Sequence, residues 1–311
     1  MATKCNLILD SCSDLPHELV ERDGIELIEF PYVLSDGEHQ DDMFKSISAH
    51  DFYESMRKGE EPTTAQVPVS VYHDYFLRAI ESGVPTLFLS FTSGLSSSFD
   101  VATMVYEQLM EEHPGAELYI LDTLQASVAE GFLVYEVIQQ WERGLSAKEL
   151  YDWTSEARFY VNDRFMVEDL DTLHRGGRIP ASVAYAGGKL DVKPMLTIAV
   201  DGTLSVVGVA RGRKKGMRQM TEFTLDTMPA EGADRLVYIG DADCPKDADR
   251  LQEMIQKEDD SIMFIRSSIG PVIGSHVGPG MLAVVMWGPD RRENLSMSDR
   301  ITKKVKGEEQ K

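Results

Sequence analysis

The sequence is poor in basic residues and in cysteine. Its 311 residues carry 31 Lys and Arg against 52 Asp and Glu, which gives a formal net charge of −21. An electrostatic field of that sign repels the phosphate backbone of nucleic acids and anionic membrane surfaces, so we expect neither as a partner. The three cysteines form no C-x-x-C pair and no metal-ligand spacing, which is typical of a reducing compartment.

Several motifs of known chemistry are also missing. The sequence contains no G-x-x-x-x-G-K phosphate loop, no G-x-S-x-G nucleophile elbow and no metal-ligand cluster. It has no apolar run long enough to cross a membrane, and the apolar start of the chain is too short for a signal peptide. We therefore expect a cytoplasmic protein without a metal or cofactor and without catalysis of its own.

A hydroxyl-rich turn is the most informative stretch that is present. It follows a predicted buried strand at 87–89, precedes a predicted amphipathic helix, and contains Ser93, Ser96 and Ser97. In an open parallel sheet such a turn lies at a helix N-terminus, where free N–H groups and the helix dipole favour an anion. Because no Lys or Arg occurs within 86–99, neutral donors would hold that anion, which suits a carboxylate or a loosely held phosphate. Alternatively, the serines serve only as helix caps.

Two further segments carry candidate ligand groups. The segment 62–68 has a proline at each end, which limits its conformations, and it presents Thr63 and Thr64. Its alternative role is an ordinary connector to the next helix. His276 lies in a segment rich in glycine, where the backbone can approach a ligand closely. A single histidine can equally be structural, but the glycines favour a functional one.

Two groups of basic residues stand out in so acidic a chain. Arg175 and Arg178 flank a double glycine, where pairing with local carboxylates is the ordinary explanation. Arg211 and Arg213 belong to the most basic run, 210–216. That run is either a solvated helix start or a docking site for phosphate or an acidic partner.

The order of predicted elements indicates an α/β fold with two domains. Strand and helix signals alternate over residues 1–160, which predicts an N-terminal domain with a parallel sheet that carries the hydroxyl loops. Residues 161–288 predict a second α/β domain with a β-hairpin, since Asp201-Gly202 separates two apolar runs. Residues 289–311 predict a charged tail.

Some element boundaries are more specific predictions. The segment 25–34 reads as one strand, and Ser70 is expected to cap a helix over 71–82. A strand is expected over 164–170, and 267–280 reads as a loop between strands, with 282–287 closing the sheet.

Eight short motifs, in order along residues 5–288, resemble the DegV family of bacterial fatty-acid-binding proteins. The motifs are LDSCSDLP at 9–16, PTTAQ at 62–66, TSGLSSSF at 92–99, ILDT at 120–123, DLDTLHRGGRI at 169–179, KPMLTIAVDG at 193–202, ARGRKKG at 210–216 and GSHVGPG at 274–280. The resemblance implies a two-domain α/β protein that encloses one long-chain fatty acid between its domains. It also implies a subunit of a bacterial fatty acid kinase system, in which a separate kinase uses ATP to convert the bound acid to an acyl phosphate for phospholipid synthesis.

The resemblance also implies roles for individual residues. Groups around the fatty-acid carboxylate would be Thr64 and Ser96, their neighbours Thr63, Ser93 and Ser97, and His276. Arginines that dock the kinase or handle phosphate would be Arg178, Arg211 and Arg213. Two positions depart from the family pattern, because Ala65 stands where serine is usual and Ser97 where glycine is usual.

Other functions remain open on the sequence alone. A small-molecule carboxylate sensor would use the same pocket without a kinase. A serine hydrolase or transferase would use Ser96 as nucleophile and His276 as base, and it would need a third residue to orient the histidine. For an acyl tail, Met104 and Phe132 are candidate contacts, with the hydrophobic core as their alternative place.

Overall fold

The computed structural model describes residues 4–184, 192–229 and 235–294. Its strands are β1 (Asn6–Asp10), β2 (Ile25–Ile28), β3 (Pro31–Leu34), β4 (Gly37–Gln40), β5 (Thr63–Thr64), β6 (Thr86–Ser90), β7 (Leu118–Asp122), β8 (Val161–Met166), β9 (Val192–Ile198), β10 (Leu204–Arg211), β11 (Leu236–Asp241), β12 (Met263–Ser268) and β13 (Leu282–Trp287). Its α-helices are α1 (His17–Val20), α2 (Ala49–Arg57), α3 (Val69–Ser82), α4 (Ser98–Glu112), α5 (Ser127–Glu142), α6 (Ala147–Ala157), α7 (Asp171–Arg175), α8 (Ala181–Ala184), α9 (Arg213–Thr227), α10 (Pro245–Glu258) and α11 (Pro271–Val277). Most of the predicted charged tail lies outside the described residues.

The N-terminal part of the chain forms a four-stranded sheet in the spatial order β2-β1-β6-β7, and every pairing in it is parallel. β6 is buried at all five residues, as expected for a central parallel strand covered on both faces. α3, α4 and α6 pack against this sheet. The predicted parallel α/β sheet is thus confirmed, and the serine turn does lie between the carboxyl end of β6 and the start of α4.

The C-terminal part forms a six-stranded mixed sheet in the order β10-β9-β8-β13-β11-β12. β9 and β10 make the predicted antiparallel hairpin, with the turn at Asp201-Gly202. A small three-stranded sheet, β4-β3-β5, completes the fold. The α/β fold class is therefore confirmed, while the division at residue 160 stays a prediction.

Helix α5 lies between the two larger sheets. It contacts β8, β11 and β13 of the six-stranded sheet and the short 3₁₀ turn Ser11–Ser13 that follows β1. Its residues are buried nearly all round, which is typical of a helix enclosed by protein on every side. Phe132 packs edge-on against Trp287 with ring centroids 5.0 Å apart, so this residue belongs to the core. Met104 is 53% exposed, so it lies outside the core, and it does not line the cavity described below.

Several predicted boundaries are wrong for physical reasons. The segment 25–34 forms two strands in different sheets, because Pro31 has no N–H to continue a ladder and the Phe30 N–H donates to Ser11 instead. α3 begins at Val69 directly after Pro68, so Ser70 lies inside the helix and does not cap it. The strand expected over 164–170 is β8, which ends at Met166.

The glycine-rich segment 267–280 is not a loop throughout. It contains α11, which begins with Pro271 at the first helical position and ends at Gly278, a residue with a φ of +72°. His276 therefore projects from a helix. β13 lies in the middle of the six-stranded sheet, between β8 and β11, and does not close it at an edge. In the described ranges, no helix is both long and apolar enough to cross a membrane.

Candidate functional site

A cavity of about 240 Å³ lies where the serine turn, the β5 segment, α11 and the six-stranded sheet meet. One part of its wall is polar and is formed by Thr64, Gln66, Ser96, Ser97, Arg178 and His276. The larger part is apolar, with residues such as Phe30, Phe91, Phe165, Leu204, Ile273 and Val285. A cavity with polar groups at one end and an apolar wall elsewhere fits an amphipathic ligand.

Thr64 and His276 meet at the polar end, although α11 and β5 are far apart in the sequence. The Oγ1 atom of Thr64 lies 2.8 Å from Nε2 of His276. Burial, and then the nearby Arg178, lower the pKa of His276 to about 4, so the imidazole is neutral at neutral pH. Its Nδ1 faces Gly176 and has no hydrogen-bond partner in the described part of the chain.

The serine turn is held by bonds within itself and to the β5 segment. Ser96 donates its hydroxyl to Ser98 Oγ at 3.0 Å and accepts the Ser98 N–H at 3.1 Å. The side-chain amide of Gln66 donates to the carbonyl of Ser97 at 3.0 Å and to its hydroxyl at 3.1 Å. Ser96 thus satisfies a backbone N–H near the start of α4 and lines the cavity as well, so the capping and ligand roles are compatible.

Arg178 brings a positive charge to this turn, which the sequence interpretation did not include. Its Nε donates to the carbonyl of Leu95 at 3.2 Å, and its NH1 donates to the carbonyl of Gly176. Burial lowers the pKa of Arg178, but a guanidinium remains charged at neutral pH. The expectation that only neutral donors hold an anion here is therefore wrong, because a residue 83 positions away folds onto the turn.

The expected local pairing of the two arginines is also wrong. Arg175 pairs with the distant Glu61 at 3.0 Å. Among the described residues, no carboxylate lies within ion-pair distance of Arg178. Its bonds within the described part of the chain go to the carbonyls of Leu95 and Gly176, so its charge is available to an anion in the cavity.

The remaining candidate residues lie outside the cavity wall. Thr63 and Ser93 are exposed, and the Ser93 N–H donates to Asp122. Arg211 is exposed on β10. Arg213 is partly buried and pairs with Glu168 and, at 2.5 Å, with Asp247.

Gln66 lines the cavity, and sequence reasoning missed it. A sequence signal for Gln66 was present, because this residue lies in the same proline-bounded segment as the two threonines. His276 is hydrogen-bonded to Thr64, and Ser96 is hydrogen-bonded to Ser98. The nucleophile and base that a serine hydrolase would need are thus not bonded to each other in this structure.

The β9–β10 hairpin closes one side of the cavity. Thr92 donates its hydroxyl to the carbonyl of Gly202 at 3.1 Å. A Cβ atom on Gly94 would lie 2.5 Å from the carbonyl carbon of Gly202, so glycine is required for this close approach. Leu204, just after the turn, lines the cavity. The wall therefore comes from both halves of the chain.

Buried carboxyl groups hold α11 against the N-terminal sheet. Asp14 accepts the N–H of Gly270 at 2.8 Å and the hydroxyl of Ser127 at 2.6 Å. Asp10 accepts the N–H of Phe91 at 2.6 Å. Burial raises the pKa of both carboxyls to about 7. These contacts fix the helix that carries His276 beside the strand that precedes the serine turn.

Comparison with known proteins identifies the class to which this fold and cavity belong. A family model described as "Uncharacterised protein, DegV family" matches residues 4–288, so the chain belongs to the DegV family. A DegV domain-containing protein of Clostridium perfringens is 33% identical over 282 residues, which cover 91% of this chain and 97% of that protein.

Solved structures show the same fold. A Thermotoga maritima protein, described as revealing a fatty acid binding function, is 25% identical with a TM-score of 0.77, over 93% of this chain and all of that one. A DegV family protein from Thermus thermophilus, described for its fatty acid binding, is 26% identical with a TM-score of 0.76, over 91% of this chain and 99% of that one. The resemblance drawn from the eight motifs is thus confirmed.

Proposed function

We propose that this protein binds a long-chain fatty acid in the cavity and presents its carboxylate to a partner kinase. The observation that carries the first part is Arg178, whose guanidinium is bonded, within the described ranges, only to backbone carbonyls at the polar end of an apolar cavity. The fatty acid binding described for the related Thermotoga and Thermus proteins supports the same ligand class.

The polar end supplies the donors that a carboxylate needs. A neutral His276 can donate its Nε2 proton to Thr64 Oγ1, which leaves the Thr64 hydroxyl proton free for a carboxylate oxygen. Ser97 adds a hydroxyl donor, the Ser96 hydroxyl can turn from Ser98 to the ligand, and Arg178 adds the positive charge. A charge-assisted hydrogen bond is shorter and stronger than a neutral one, so this arrangement fixes the head group.

The apolar wall accounts for affinity. Each buried CH₂ of an acyl chain contributes roughly 0.8 kcal/mol, so a tail of about sixteen carbons gives on the order of 10 kcal/mol before the costs of binding. The tail therefore dominates binding strength, and the hydroxyl and guanidinium groups determine orientation. Residues 1–160 and 161–288 would act as two domains that enclose the ligand between them.

The partner in this proposal is an ATP-dependent fatty acid kinase. The carboxylate oxygen attacks the γ-phosphorus of ATP, an acyl phosphate forms and ADP leaves, so the binding protein itself breaks no bond. Arg211 is exposed on β10 and can contact the kinase, together with Lys214 and Lys215 at the start of α9. Arg213 would hold this surface in place through Glu168 and Asp247. The acyl phosphate would enter phospholipid synthesis.

Two titrations and one trapping assay test the proposal. Palmitic acid should bind, and its methyl ester should bind more weakly because it lacks the charge that Arg178 recognises. With a purified fatty acid kinase and ATP, hydroxylamine should trap the acyl phosphate as a hydroxamate only when this protein is present. Binding without any hydroxamate, across several such kinases, would favour a carboxylate sensor. Failure to bind any fatty acid would overturn the whole proposal.

A further inference from the structure

One carboxyl group lies in the apolar part of the cavity wall. Asp163, on β8, is only 4% exposed and lines the cavity. Its neighbours along the wall are apolar, with Phe165 two residues on and Val285 directly opposite on β13. A charged group is costly to bury beside hydrocarbon unless it is hydrogen-bonded, so the hydrogen bonds that Asp163 accepts determine what else it can bind.

The strand register places Asp163 away from the end of β8 that leads to Arg178. β8 leads at Met166 towards α7 and Arg178, and Met166 pairs with Leu282, close after the helix that carries His276. Asp163 is three residues earlier on β8, about 10 Å from Met166 at the rise of a β-strand. A group on the ligand that reaches Asp163 therefore lies about 10 Å along β8 from the end that leads to Arg178.

The protein uses only part of the hydrogen-bonding capacity of Asp163. The Ile198 N–H lies 3.1 Å from both carboxylate oxygens, and the Thr197 hydroxyl donates to Oδ1 at 3.0 Å. A carboxylate offers about four acceptor positions, so capacity remains, chiefly on Oδ2. The nearby Arg291 donates to the carbonyls of Ile198 and Arg158 and forms no ion pair with Asp163 among the described residues.

We propose that Asp163 recognises a hydroxyl group on the distal half of the acyl chain, so that the preferred ligand is a hydroxylated long-chain fatty acid. This inference rests on the proposed fatty acid binding. A ligand hydroxyl would donate to Oδ2 and satisfy the carboxylate inside the apolar wall. With a plain acyl chain, Oδ2 would keep only the Ile198 N–H that it shares with Oδ1.

The wild-type protein gives the first test, by titration with three acids of equal chain length. Either ω-hydroxypalmitic acid or a mid-chain hydroxypalmitic acid, whichever places its hydroxyl at Asp163, should bind at least about fivefold more tightly than palmitic acid. α-Hydroxypalmitic acid, whose hydroxyl lies beside the carboxylate, should show no such gain. Binding of palmitic acid with equal or weaker binding of every distal hydroxy acid would overturn the inference and leave the proposed function standing. Binding of none of the acids would overturn both.

Variants give the second test. Asp163→Leu should invert the preference, with palmitic acid binding more tightly than ω-hydroxypalmitic acid. Glu130→Gln is the matched control, because Glu130 is a buried carboxyl that does not line the cavity, and it should keep the wild-type preference. If Asp163→Leu does not fold, Asp163→Asn retains an acceptor for the Ile198 N–H and should reduce the preference. An unchanged preference in the folded Asp163 variants would contradict the inference.

Discussion

The hydroxyl of Thr64 lies 2.8 Å from Nε2 of His276, across a separation of 212 residues in the chain. This contact joins the β5 segment of the N-terminal half to α11 of the C-terminal half. It also determines which way the Thr64 proton points, because a histidine that donates to Oγ1 leaves the hydroxyl free to donate elsewhere. The proposed carboxylate site depends on this pair together with Arg178.

Replacing Thr64 by valine should therefore weaken fatty acid binding. The variant removes one donor to the ligand, which costs about 1–3 kcal/mol of binding, or roughly five- to 150-fold in the dissociation constant. Titration with palmitic acid measures the effect. Thr63→Val is the control, because Thr63 is the adjacent residue and is exposed. Equal losses in the two variants would refute the assignment.

Gly176→Ala should disturb the site without a strained backbone. Gly176 has a φ of −70°, which alanine adopts readily, but its Cβ would press against the His276 ring and would lie 3.1 Å from Cε1. We expect weaker fatty acid binding and a lower melting temperature. Gly208→Ala is the matched control, since a Cβ there meets nothing within 4 Å. A Gly176→Ala protein that binds like the wild type would show that the position of His276 does not matter.

Arg178→Met should reduce discrimination between an acid and its ester. The methionine keeps much of the apolar stem of arginine and removes the charge, so palmitic acid should bind about tenfold more weakly while methyl palmitate binding changes little. Arg211→Met, on the exposed part of β10, should change neither affinity. The ratio of the two dissociation constants is the quantity to compare. A ratio that Arg178→Met leaves unchanged would rule out a direct role for this arginine in carboxylate recognition.

Stability should fall as the pH rises from about 4 to about 7. Burial raises the pKa of Asp14 from 3.8 to about 7, so the folded state binds more protons than the unfolded state over this range. The free energy of unfolding then decreases with pH, by up to about 1.4 kcal/mol per pH unit for each such carboxyl. Asp14→Asn keeps the shape of the side chain but removes its titration. The free energy of unfolding of this variant should therefore depend less steeply on pH. Denaturant unfolding at several pH values measures the slope, and an identical slope in the variant would contradict this account.

The residues that sequence reasoning placed correctly are those with local signals. Apolar runs, turn residues and helix starts are set by neighbours in the chain, so the serine turn, the parallel sheet and the β9–β10 hairpin were predictable. Thr64, Ser96 and His276 stood out because hydroxyls, prolines or glycines surround them.

What the sequence could not show depends on long-range contacts. Arg178 reaches the serine turn because α7 packs against α11, and no local sequence pattern predicts that packing. The glycines and prolines that suggested a loop at 267–280 instead begin and end α11, and the buried carboxyl of Asp14, from the other half of the chain, accepts the N–H of Gly270 just before the helix. Asp163 lay just outside the strand predicted over 164–170, and only the observed register of β8 places it on the cavity wall.

The central claim is that the cavity holds a fatty acid, and mass spectrometry of the purified protein tests it most directly. We predict a native mass above that of the chain alone, and release of a long-chain fatty acid on extraction with organic solvent. A hydroxylated chain in the extract would also support the role of Asp163. A protein that is free of ligand as purified, and that stays so after incubation with fatty acids, would contradict the account.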